Sequence, residues 1–231
     1  MRSMNASSSP SHFTHTARVC MLSTGLLLPL LLFLQGCTLI GGMAESYRQN
    51  STHAVPAEYT GLTGQSVAVV VIVDRSIEAD FPGITATLIE RMNERIRLNC
   101  NPHKAFPSVQ LVQYLTNNPQ LLVRPRSELA ADLGVNRLVV MEVREFRLND
   151  PGNQYLWEGA AAAQVSVIEA DGPLPDDNAF SRAIRVGFPD QKGIGPEQFG
   201  RDVISSELLR RIVDRSSWLF YEHQEPYYPK Y

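Results

Sequence analysis

The run Ser66-Val67-Ala68-Val69-Val70-Val71-Ile72-Val73-Asp74 decides the fold of this chain. Its apolar residues are consecutive and mostly β-branched, which is typical of a strand that is covered on both faces. Farther along, Ile84, Leu88, Met92 and Ile96 recur at helical spacing. This stripe predicts a long amphipathic helix that packs against the strand.

The second half of the chain predicts three more long strands and a closing helix. Residues 137–148 form an apolar run, a turn follows at 150–153, and residues 154–169 and 180–188 alternate between apolar and polar side chains. Apolar residues at helical spacing then extend from Glu197 to about Tyr221. We therefore expect an α/β fold. A single mixed sheet contains the first strand and a three-strand antiparallel meander. A long first and a long last helix pack on one face, with short helices between them.

Two segments carry a resemblance to known proteins. Residues 67–74 resemble the opening strand, and residues 126–140 the helix-to-strand step, of a small α/β module found in several envelope lipoproteins. Examples are the curli-secretion lipoprotein, the penicillin-binding-protein activator lipoproteins and the amino-terminal domain of the Tol–Pal translocation protein. Asn136 stands where these proteins usually have an aspartate. The resemblance covers residues 66–222 in outline and implies a non-enzymatic domain that binds or assembles with other proteins.

The amino-terminal residues have the pattern of a bacterial lipoprotein signal. Residues 1–18 carry arginines and no acidic residue, and residues 19–34 are almost wholly apolar. This run is shorter than the roughly 20 residues of a membrane-spanning helix. Leu34, Gln35 and Gly36 then precede Cys37 as a lipobox, although Gln35 is not the usual small residue. We expect cleavage after residue 36 and a lipid such as palmitate on Cys37.

The signal predicts where the protein resides and how its domains are arranged. Thr38 replaces the aspartate that retains some lipoproteins at the inner membrane, so resemblance to such lipoproteins favours the outer membrane, with the domain facing the periplasm. We expect a signal peptide at 1–36, a lipid anchor and flexible tether at 37–65, an α/β domain at 66–222 and an exposed tail at 223–231.

Charge and cysteine content exclude several classes of function. Without its signal the chain keeps 19 of its 21 basic residues against 24 acidic ones, so we expect no nucleic-acid partner. Cys20 leaves with the signal and Cys37 carries lipid. Only Cys100 remains, and no intramolecular disulfide can form. The remaining histidines, His53, His103 and His223, lack metal-ligand spacing, so we expect neither a metal nor a cofactor.

Four carboxylates are the candidate residues for a crevice. Asp74 ends the first strand and Asp80 follows it, and ligand crevices of open α/β sheets border such strand ends. Glu142 and Glu145 on a later strand are their candidate partners. The competing interpretation assigns Asp74 and Asp80 to turns and helix caps, and the glutamates to a solvated or cross-strand-paired face.

These patterns lead to one functional hypothesis and two alternatives. The first is a lipid-anchored cell-envelope protein whose domain is a non-catalytic interaction or assembly module, with an envelope protein as its partner. The alternatives are a periplasmic carboxylate-dependent hydrolase and a carrier of an apolar ligand. The sequence contains no reaction motif, and this favours the non-catalytic hypothesis.

Overall fold

Five strands form the main sheet of the structure, a computed structural model that describes residues 52–153 and 155–226. Numbered along the chain, the described strands are β1 (Thr52–Val55), β2 (Ser66–Val73), β3 (Lys104–Ala105), β4 (Arg137–Arg147), β5 (Gly159–Glu169), β6 (Asn178–Phe188) and β7 (His223–Pro226). The main sheet has the order β3-β2-β4-β5-β6, and β1 and β7 form a separate two-stranded sheet.

The sheet confirms the predicted α/β class and the antiparallel meander. β2 lies parallel to β4, with Val67 beside Arg137 and Val73 beside Val143. β4 pairs antiparallel with β5, and β5 pairs antiparallel with β6. β2 lies between β3 and β4, and its consecutive residues from Val67 to Val71 are all buried, so its apolar run is covered on both faces.

Two long helices pack together against this sheet, as the sequence predicts. The described helices are α1 (Arg75–Asp80), α2 (Ile84–Asn99), α3 (Ser108–Asn117), α4 (Arg126–Leu133) and α5 (Arg201–Ser217). α2 contacts β2, α5 contacts β5 and β6, and the two helices contact each other. Leu88, Met92 and Ile96 of α2 are fully buried, as are Leu208 and Ile212 of α5. None of the helices within residues 52–153 and 155–226 could span a membrane.

The structure differs from the sequence prediction in residues 52–65. The sequence pattern predicts a flexible tether here, yet residues 52–55 form β1 and Leu62 is only 1% exposed. The backbone N–H groups of Glu58 and Tyr59 both donate to the carbonyl of Leu219 at 2.9 Å. Isolated apolar residues in a segment rich in Gly, Pro and polar residues produce no periodicity, so the sequence pattern does not reveal this packing.

The structure also differs at the carboxyl-terminal boundary. His223, placed in the exposed tail from sequence, lies in β7 and stacks on Trp218, with ring centroids 4.5 Å apart. Residues 53–225 therefore form one compact unit that extends beyond the predicted limits of the domain on both sides.

Candidate functional site

The Asp74 carboxylate has a local structural role, and Asp80 lies at the end of the same short helix, α1. Asp74 follows β2 and caps α1: its Oδ1 accepts hydrogen bonds from the backbone N–H of Ser76 at 2.8 Å and from the Ser76 hydroxyl at 2.7 Å. These bonds, the hydroxyl bond foremost, hold the pKa of Asp74 below its usual value. Asp80 ends α1, and its carbonyl accepts a hydrogen bond from Arg201. A general acid needs a raised pKa, so the lowered pKa of Asp74 does not suit that role.

The other two carboxylates lie on β4 among arginines. Glu142 faces Arg126 at 3.9 Å and Arg144 at 3.7 Å. Glu145 binds Arg147 at 2.7 Å and Arg185 at 2.9 Å, and a register shift in the β4–β5 pairing separates it from Val143. Of these ion pairs only Glu145–Arg185 joins two strands, so the cross-strand interpretation holds for Glu145 and not for Glu142. Neither of the two cavities described below is lined by any of the four candidate carboxylates.

The larger cavity is a groove of about 530 Å³ beside β6, which we call the β6 groove. Its volume lies in the range typical of binding clefts. One side is the chain of β6, and the other sides come from β1 and the residues after it, the end of α5 and β7. The lining residues are Val55, Pro56, Glu58, Arg182, Ala183, Ile184, Arg185, Arg215, Trp218, Leu219, His223 and Glu225.

One wall of the β6 groove is a network of aromatic and charged side chains. The ring of His223 is parallel to that of Trp218 within 9°, and its Nε2 lies 3.1 Å from Glu225 Oε1. Arg215 forms an ion pair with the same carboxylate, and its guanidinium lies 6.0 Å from the centre of the Trp218 ring. Because each side chain contacts two others, we expect this wall to be rigid.

The opposite side of the groove is formed by β6, which carries two exposed arginines. Arg182 is 58% exposed and lies 3.3 Å from Glu58, and Arg185 is 65% exposed and lies 2.9 Å from Glu145. Exposed ion pairs of this kind contribute about 0–1 kcal/mol. A carboxylate of a bound partner can therefore replace Glu58 or Glu145 at little cost.

The second cavity, of about 340 Å³, lies between α2 and α5 and has a structural role. Asp214 is buried there and binds Arg95 at 2.6 Å and Arg210 at 2.7 Å. Arg210 and Arg211 also bind Glu207, and the bonds from Arg210 contribute most to lowering the pKa of Glu207 to about 2. The network links the two long helices.

The sequence does not indicate the β6 groove, whereas it does predict a lipobox. Trp218, His223 and Glu225 fall at the end of the last predicted helix and in the predicted tail, so no motif joins them to β6. Leu34, Gln35, Gly36 and Cys37 lie outside the described residues. Within the described ranges, His, Cys, Asp and Glu side chains form no group of three that could hold a metal ion.

Comparisons with known proteins find distant similarities only among solved structures. No family model matches the chain, and no curated protein matches it. Lipoprotein GNA1162 of Neisseria meningitidis is 11% identical over 65% of this chain and 96% of its own, with a TM-score of 0.43. A family DUF330 protein of Xanthomonas campestris is 9% identical over 71% and 86%, with a TM-score of 0.44. The PelC dodecamer structure from Paraburkholderia phytofirmans is 11% identical over 74% and 99%, with a TM-score of 0.39.

Proposed function

We propose that this chain is a lipid-anchored cell-envelope protein whose α/β domain binds another envelope protein without catalysing a reaction. The observation that carries the binding role is the β6 groove, which lies beside a strand of eleven residues at the edge of the sheet. The anchor is the lipid on Cys37, and the domain faces the periplasm, with the outer membrane favoured by Thr38.

The lining of the β6 groove supports a protein partner over the two alternatives. Arg182, Arg185, Arg215, Glu58 and Glu225 contribute charge to its walls, which suits a polar partner better than an apolar ligand. The four carboxylates considered for hydrolysis lie elsewhere, in caps, turns and ion pairs. The sequence resemblance to envelope lipoproteins implies the same non-enzymatic role.

The anchor is tested by labelling growing cells with radioactive palmitate. We expect the wild-type protein to incorporate label and to sediment with membranes, and Cys37→Ala to lose both properties. Cys100→Ala is the matched control, because the Cys100 thiol is buried and should accept no lipid. Membrane-bound, unlabelled wild-type protein would contradict the anchor.

The binding role is tested by purifying the lipidated protein with its partners from solubilised membranes. We expect one protein to be retained in stoichiometric amount by the wild type and lost from the double variant Arg182→Glu/Arg185→Glu. Arg144→Glu is the matched control, because Arg144 is also an exposed strand arginine that pairs with a glutamate, yet it lies on β4 and away from the groove. If no protein is retained by the wild type, the binding role is wrong.

A further inference from the structure

The two edges of the main sheet are protected to different degrees. At one edge β3 pairs with Ser66 and Val67 of β2, and beyond them Val69 and Val71 are buried. At the other edge β6 pairs with β5 alone, and no described strand pairs with its outer side. Ser181 and Ala183 of β6 are exposed, as are the two arginines. An open edge of this length presents backbone donors and acceptors to another strand.

We infer that β6 binds an extended, acidic segment of a partner protein, which adds to the sheet as a sixth strand. The inference rests on the proposed binding function and specifies its chemistry. Strand addition supplies backbone hydrogen bonds at the edge, and side chains that point into a groove supply specificity. The β6 groove runs along residues 182–185, so one side of the added strand would face Trp218 and Leu219.

The charge of β6 determines which segment fits. Residues 178–188 contain Arg182 and Arg185 and no acidic residue. A second copy of β6 would place four arginines on one pair of strands, and like charges across a pair of strands destabilise it. An acidic segment would instead meet each arginine with a carboxylate. This argues for a different chain, and against a second copy, as the occupant.

The spacing of the arginines makes the prediction more specific. Arg182 and Arg185 are three residues apart, and side chains alternate along a strand, so the two arginines point to opposite faces of the sheet. A strand that pairs with both must therefore carry carboxylates on both of its faces. We expect acidic residues three apart in the partner segment, surrounded by residues that favour strands.

A synthetic peptide of the sequence Thr-Val-Thr-Glu-Val-Thr-Glu-Val-Thr meets these requirements. Its binding to the full-length lipidated protein in detergent micelles is measured by fluorescence anisotropy at low salt. We expect saturable binding that weakens roughly tenfold or more in Arg182→Glu/Arg185→Glu and is unchanged in Arg144→Glu. The same peptide with glutamine in place of both glutamates should bind the wild type about as weakly as the glutamate peptide binds the double variant. Arg182→Lys/Arg185→Lys should restore part of the affinity.

Hydrogen exchange separates strand addition from other binding modes. We expect the peptide to slow exchange of the backbone amides of β6, and to leave those of β3 unchanged. The proposal is wrong if the peptide fails to bind the wild type, if it binds the double variant equally well, or if the β6 amides stay unprotected. It is also wrong if ultracentrifugation shows that the wild type self-associates and this association alone protects the β6 amides from exchange, because β6 would then pair with a second copy.

The purification from solubilised membranes tests the proposed binding function independently of the peptide experiment. If a partner is retained by both the wild type and the double variant, the proposed binding function is supported, and β6 is not the binding site. A partner lost only from the double variant, and displaced by the acidic peptide, supports both proposals.

Discussion

Substitution of Gly159 by alanine tests the closest packing between the sheet and α5. A Cβ atom at this position would lie 2.6 Å from Leu208 Cδ1 and 2.7 Å from the carbonyl oxygen of Phe188, against an ordinary separation of about 3.5–4.0 Å. Phe188 pairs with Gly159 across β5 and β6, so its carbonyl cannot move without disturbing the strand pair. Overpacking of this kind costs about 1–3 kcal/mol, and we expect Gly159→Ala to lie near the upper end.

Urea unfolding of the purified protein, followed by circular dichroism, measures this cost. Gly187→Ala is the matched control: it also lies in the β5–β6 pair, and its added Cβ would meet only the Gly159 carbonyl, at an ordinary 3.5 Å. We expect the control to stay within about 0.5 kcal/mol of the wild type.

A double-mutant cycle with Leu208→Ala tests the physical reason. Leu208 is fully buried, so its truncation alone should cost about 2–5 kcal/mol. In the double variant one of the two close contacts of Ala at position 159 is relieved. The combined cost should therefore fall short of the sum by about 1 kcal/mol. Strict additivity, or a Gly159→Ala variant as stable as the wild type, would refute the reasoning.

Three further predictions concern titrating groups. The Tyr59 hydroxyl donates to Glu169 at 2.6 Å, and burial, followed by this bond, raises the pKa of Tyr59 to about 12. The protonated Tyr59 hydroxyl should stabilise the fold fully below pH 10, and this stabilisation should disappear as the pH rises through about 12. The difference in unfolding free energy between the wild type and Tyr59→Phe should therefore shrink over that pH interval. Because the pKa of Glu207 is lowered from 4.5 to about 2, its contribution is present above pH 4.5 and is lost as the pH falls towards 2; Glu207→Gln should be less stable at neutral pH and approach the wild type in acid unfolding curves. Burial raises the pKa of Cys100 to about 12, so its thiol should resist a maleimide at pH 8 in the native protein and react after unfolding; rapid native labelling of the Cys20→Ala/Cys37→Ala protein, in which Cys100 is the remaining cysteine, would contradict this.

The elements that could be predicted from sequence are those with strong periodicity. The buried run of β2, the apolar stripe of α2 and the alternation of β6 each give a clear signal over many residues, and the structure contains all three. Gly134 after α4 adopts the left-handed conformation at φ 63°, which is common at helix carboxyl termini and favours glycine. The strand β3 could not be predicted in this way, because its two residues, Lys104 and Ala105, are too few to show an alternating pattern.

The β6 groove could not be predicted because it depends on contacts between distant segments. Glu58 meets Arg182, and Trp218 comes to lie beside β6, only after the chain has folded. Tyr59 reaches Glu169 across 110 positions of sequence. No local sequence pattern marks these residues, and they lie together only because of tertiary packing. The predicted lipobox is the reverse case, because a motif of this kind is recognised by a peptidase as a local sequence and needs no tertiary contact.

The most direct test of the account is the mass of the amino-terminal peptide of protein isolated from membranes. We predict a mature chain that begins at Cys37, with a mass increased by lipid. A chain that keeps residues 1–36, begins at another residue or has an unmodified Cys37 would contradict the lipid anchor on which the proposed location depends.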